Sequence, residues 1–98
     1  MKNKPPYDVA QEPGGRAFLA FETSAGVVLL PWHSLRAVRL APDNASLVFE
    51  YGNATVELLG SGLAILAELA GATRLKSVRQ GETDETRILS VRLLGGES

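Results

Sequence analysis

"SLVFEYGNATVELL", residues 46–59, decides the fold. Two runs of alternating character flank Gly52-Asn53, and glycine at the first central position signals a two-residue hairpin of type II′. That loop pairs Phe49 with Val56 and Leu47 with Leu58. These four side chains share one face, while Val48, Glu50, Thr55 and Glu57 share the other. A sheet with one apolar and one wet face is antiparallel and packs on a core from one side.

Working outward, "LRAVRL" (35–40) supplies a third strand. An even loop around "PDN" sets Val38 opposite Phe49 and Leu40 opposite Leu47. An odd loop would set Arg39 against Leu47, and one residue of slip turns every side chain to the wrong face. Ala37 and Arg39 then point outward, with Arg39 in diagonal reach of Glu50 and across the sheet from Glu57.

On the other side, "VELLGSGLAILAELAG" (56–71) reads as strand, Gly-x-Gly turn and helix, the opening of a dinucleotide site. The rest of that fingerprint is missing. Position 65, where a third small residue should stand, is Ile, and the preceding strand is half-wet and sits in a hairpin. Glu82 has about the right separation for the acidic residue but falls in a polar turn. The residues fit a plain strand-to-helix passage: Gly60 ends the strand, Ser61 caps the helix and Gly71 stands just past its end. Leu63, Ile65, Leu66 and Leu69 form its apolar stripe, opposite Ala64 and Glu68. "RLKSVRQ" (74–80) and "TRILSVRLL" (86–94) read as two further strands around "GETDE", with Leu89, Val91 and Leu93 alternating with Ser90 and Arg92.

The opening ribbon differs from the meander. "RAFLAFE" (16–22) and "VVLLPW" (27–32) flank "TSAG" as a hairpin that pairs Phe21 with Val28 and Leu19 with Leu30. Its second face holds Phe18, Ala20, Val27 and Leu29, so both faces are apolar and one short helix can cover only one of them. The expected fold is therefore α+β: a curved antiparallel meander of five to seven strands with one short helix packed on it. The half-open barrels of the pleckstrin-homology kind are an analogy at the level of fold only. Pro5, Pro6, Pro13, Gly14 and Gly15 punctuate residues 1–15, which read as a flexible arm; residues 16–94 read as one domain and 95–98 as a tail.

Composition narrows the function classes. The 98 residues carry ten basic and eleven acidic side chains, so no bulk charge draws the chain to nucleic acid. Arg74, Lys76, Arg79, Arg87 and Arg92 lack the interleaved aromatics of nucleic-acid sheets. Cysteine is absent, which removes disulfides, thiolate catalysis and cysteine-ligated metals. No apolar run approaches the roughly 20 residues of a membrane helix, and no secretory leader opens the chain. A cytoplasmic protein with no cofactor, no metal and no nucleic-acid partner is the expectation. The sequons at Asn44 and Asn53 fall in turns that favour Asn for its own backbone preferences.

"PWHS" (31–34) holds the only Trp and the only His. Ser34 and His33 are adjacent on an extended chain and point apart, so they make no nucleophile–base pair. No acid, base and nucleophile converge elsewhere, and no catalytic residue is assigned. Trp32, His33 and Arg36 remain the corner where a small ligand or phosphorylated partner would sit. The leading expectation is a non-enzymatic interaction domain that self-associates, or meets another protein, through Phe18, Ala20, Val27 and Leu29. The alternatives are a binding module at the Trp32–Arg36 corner and, behind it, an enzyme.

Overall fold

The computed structural model describes residues 5–11 and 17–94. In chain order the strands are β1 (Tyr7–Val9), β2 (Phe18–Thr23), β3 (Gly26–Pro31), β4 (Leu35–Leu40), β5 (Ser46–Tyr51), β6 (Thr55–Ser61), β7 (Leu75–Val78), β8 (Gly81–Glu82) and β9 (Arg87–Leu94). A 3-10 turn, Trp32–Ser34, joins β3 to β4, and helix α1 (Ala64–Gly71) precedes β7. The α+β class and the antiparallel meander are as expected from the sequence. The strands form two sheets, however, with orders β1-β7-β2-β3 and β4-β5-β6-β9-β8, and the sheets do not close into a barrel.

Every expected register of the meander is present. Val38 lies opposite Phe49, Leu40 opposite Leu47, Phe49 opposite Val56 and Leu47 opposite Leu58. The β2–β3 hairpin likewise pairs Phe21 with Val28 and Leu19 with Leu30. Gly52 does not take the left-handed backbone of a II′ turn, yet the two-residue loop keeps the register. At the β4–β5 connection Asn44 takes φ 61°, and Ala45 N–H donates to Asp43 Oδ1 at 3.0 Å. That turn holds the start of α1, since Leu63 N–H donates to Asn44 O at 3.1 Å.

The helix differs from expectation at both ends. Strand β6 runs on through Gly60 and Ser61 by a register shift against β9, so Ser61 is strand and Leu63 stands at the N-cap. A Cβ on Gly60 would lie 1.8 Å from the Arg87 carbonyl oxygen, and one on Gly62, which has φ +63°, 2.0 Å from that of Glu85. The Gly-x-Gly pair therefore admits the backbone of β9 and its preceding turn, and β6 runs antiparallel to β9. Thr86, a buried polar residue, donates to Gly62 O at 3.0 Å. At the other end Gly71 is the last helical residue, and the left-handed position falls on Thr73 at φ 55°. Arg74 N–H donates to Leu69 O at 2.9 Å and Thr73 N–H to Ala70 O at 3.1 Å, the paired bonds of a Schellman cap. The buried helix residues are Leu66 and Ala70, with Leu63 buried at the cap, while Ile65 reaches the surface.

The core lies between the sheets. Leu19 and Phe21 of β2 and Leu75 and Val78 of β7 meet Leu47, Phe49, Val56, Leu58 and Ile88 of the second sheet. Phe21 packs edge-on against Phe49 and Tyr51, with centroids 5.2 and 6.4 Å away. What covers the inner face of the first ribbon is thus the meander rather than the helix, which lies against β4 and β7. The strands after α1 part company. β7 joins the first sheet, parallel to β2 and antiparallel to β1, and β9 joins the second. On β9 the shift leaves Ile88 and Val91 buried while Leu89 and Leu93 face solvent, so the simple alternation does not hold. Residues 7–9, placed in a flexible arm by the sequence, form an edge strand, with Pro6 and Ala10 buried on either side. Residues 12–16 and the tail at 95–98 lie outside the described residues.

Two backbone positions yield opposite expectations in urea denaturation. Gly60→Ala drives a methyl group into the Arg87 carbonyl and should cost ~3 kcal/mol or more; Gly52→Ala, which meets nothing within 4 Å, should change little. Thr73→Gly relieves a β-branched residue of a left-handed conformation and should raise stability by about 1 kcal/mol.

Candidate functional site

Alternation in a strand sends Phe18, Ala20 and Glu22 of β2 to the outer face, beside Pro31, Leu29 and Val27 of β3. Phe18 is 49% exposed, Val27 62% and Leu29 58%; Ala20 is half-buried. These are the positions the sequence marks as an association face, and three of the four carry large apolar side chains into solvent. Three large apolar side chains are thus gathered on neighbouring strands of one face.

The same outer face changes character across the sheet. Ala20 pairs with Ser77 on β7, and Ser77 pairs with Asp8 on β1. There Arg79 forms an ion pair with Asp8 and another with Glu22 at 3.2 Å, and Ser77 Oγ donates to Asp8 Oδ2 at 2.5 Å. The Arg79 backbone N–H also donates to Pro6 O at 2.7 Å. The Ser77 hydroxyl, and after it the Arg79 guanidinium, hold the Asp8 carboxyl below its ordinary range against the opposing effect of burial. The β1–β7 half of the face is therefore wet and tied by charge, and the β2–β3 half is apolar. Sequence reasoning misses this network, because its members come together only through the long-range pairing of β7 with β1 and β2.

The Trp32–Arg36 corner lies where the chain passes from β3 to β4. Trp32 begins the 3-10 turn, partly buried against the core, and its N–H donates to Ala17 O at 3.0 Å. His33 and Arg36 are exposed. A cleft of about 340 Å³ lies elsewhere, lined by Glu22, Thr23, Ser24, Arg79, Ser90 and Arg92 among others. Its two guanidinium groups are already matched, Arg79 with Glu22 and Asp8, Arg92 with Glu57 at 3.6 Å. Arg87 pairs with Glu82, and Arg39 pairs with Glu50 at 2.9 Å as its diagonal position implies. Glu57, placed opposite Arg39 by the sequence, turns to Arg92 instead. The late basic residues thus sit largely in ion pairs on a solvated surface.

Among the described residues no three His, Asp or Glu side chains gather to hold a metal ion, and no helix is long and apolar enough to cross a membrane. The β2–β3 half of the outer face presents apolar side chains beside the backbone of an edge strand.

The Asp8 network has a pH signature. With its folded pKa lowered, Asp8 contributes stability above its unfolded value of about 3.9, lost as pH falls through the folded pKa. Asp8→Asn should be less stable than the parent at pH 7, and the gap in urea midpoint should close as pH is taken from about 5 towards 2. The carboxylate is 43% exposed, so the gap is modest.

Comparison with protein-family models, with curated proteins and with solved structures gave no match to this chain.

Proposed function

We propose that this chain is a non-enzymatic interaction domain that self-associates through the β2–β3 half of the outer face of its first sheet. The observation that carries the reading is the exposure of Phe18, Val27 and Leu29 on neighbouring strands. Their inner-face neighbours Leu19 and Phe21 are wholly buried, so the ribbon is already anchored and its outer side is surplus to the fold. The wet half of the same face supports the reading too. Sheets with one solvated face normally alternate apolar with polar, and β7 and β1 do so here through Asp8, Ser77 and Arg79, while β3 does not. A small patch places the association in the weak or transient class, below about 1,200 Å² of total buried surface.

Sedimentation velocity from about 1 µM to about 500 µM is the test, a span that brackets micromolar association. The weight-average sedimentation coefficient of the parent chain should rise with concentration. Leu29→Lys, which places a charge in the patch without touching the core, should stay monomeric with an unchanged melting temperature. A parent chain that remains monomeric throughout would overturn the proposal.

A further inference from the structure

The open sheet edges are not equivalent: β8 meets only Arg87 and Ile88, so among the described residues β9 is open along Leu89–Leu94, where it carries Arg92. Strand β1 is three residues long with a register shift at Asp8/Val9, and β8 is two residues long. Strand β4 has a shift between Leu35 and Ala37 and carries Arg36 and Arg39 outward. Short strands, irregular pairing and charge are the usual protections of an edge. Strand β3, "GVVLLP", has none of them along Gly26–Leu30; its pairing with β2 is regular and it has no charged residue. Among the described residues it is the one long, regular, uncharged edge.

The hydrogen-bond phase of that edge follows from one bond. Trp32 N–H points to Ala17 of the chain leading into β2, so by antiparallel alternation Gly26, Val28 and Leu30 also bond to β2. The N–H and C=O groups of Val27 and Leu29 therefore point away from the sheet. Among the described residues these are also the two with the most exposed apolar side chains of the ribbon.

We infer that β3 pairs antiparallel with β3 of a second copy about a two-fold axis at Val28, placing Val27 opposite the partner's Leu29 and Leu29 opposite the partner's Val27. This rests on the self-association reading and places its seam along the β3 edge of that half of the face, where Val27 and Leu29 of the two copies become neighbours. In this register every outward donor and acceptor of Val27 and Leu29 meets its complement. The neighbouring registers fail. Sliding the strands so that Leu29 opposes the partner's Leu29 sets Val27 against the partner's Pro31, which has no N–H. Sliding the other way sets Leu29 against the partner's Ala25, whose N–H is already given to Thr23 Oγ1 at 3.1 Å. In the favoured register these two poor residues, Ala25 and Pro31, face each other, where neither strand presents a free donor. The sequence of the edge is thus self-complementary about Val28. The apolar outer faces of both ribbons become one strip, with Val27 and Leu29 packed across the new seam.

The chain has no cysteine, so single substitutions report the register cleanly. At a two-fold axis Val28 and the partner's Val28 form a non-hydrogen-bonded pair with Cα atoms about 4.5 Å apart, within disulfide range. Like positions at 27 and at 29 lie on diagonals of roughly 7–8 Å, beyond it. Val28→Cys should form an intermolecular disulfide at least tenfold faster than Val27→Cys or Leu29→Cys. In the parent chain, the amides of Val27 and Leu29 should gain protection from hydrogen exchange as concentration rises, while those of Val28 and Leu30 are protected throughout. Cross-linking at 27 or 29 but not at 28, or at equal rates, together with no gain at the two amides, would overturn the strand pairing. It would indicate stacked outer faces and leave self-association standing, since Val28 points to the inner side. A monomer at every concentration would remove both.

Discussion

The edge-on contact of Phe21 with Phe49 and Tyr51 is what makes one protein of two sheets. Fully burying an aromatic side chain stabilises by a few kcal/mol, and an edge-to-face pair adds about 1 kcal/mol beyond its area. Around it, Leu19 and Val78 on one side and Leu47, Val56, Leu58 and Ile88 on the other are almost wholly removed from solvent. Because the inner face of β2 is satisfied by this contact, its outer face is left to other means. Half of that face is managed by Arg79 and its carboxylates, and the other half is bare.

Where the sequence is legible, the reason is local. In the meander, alternation and turn lengths fix Val38 against Phe49 and Leu47 against Leu58, because a one-residue slip would bury Arg39 or expose Phe49. The outer-face residues of the ribbon follow from the same period of two. Where reading fails, a non-local contact overrides a sound local preference. Ser61 is a good cap residue, yet β6 continues through it because Gly60 lets the Arg87 carbonyl come close. Gly71 suits a helix terminus, yet the chain runs on to Thr73 before Arg74 and Thr73 close the cap. Leu89 keeps the alternating pattern of a strand, yet the shift beside Gly60 moves burial to Ile88.

The candidate site divides along the same line. Phe18, Val27 and Leu29 are visible as apolar residues on a two-sided ribbon. Neither the charge network nor the absence of charge at the β3 edge is visible, since both depend on which strands become neighbours. Trp32, His33 and Arg36 stand out by composition alone. In the structure Trp32 turns the chain from one sheet to the other, and its two companions look outward.

The parallel pairing of β2 with β7 has a consequence for how the chain is made. The ribbon of β2 and β3 leaves the ribosome before the meander, the helix and finally β7, at about 5–20 residues per second. For some seconds one side of β2 has no neighbour at all, and only the arrival of Leu75–Val78 closes it. Closure of the first sheet therefore waits on a contact distant in sequence, the kind of pairing whose loop-closure entropy slows folding.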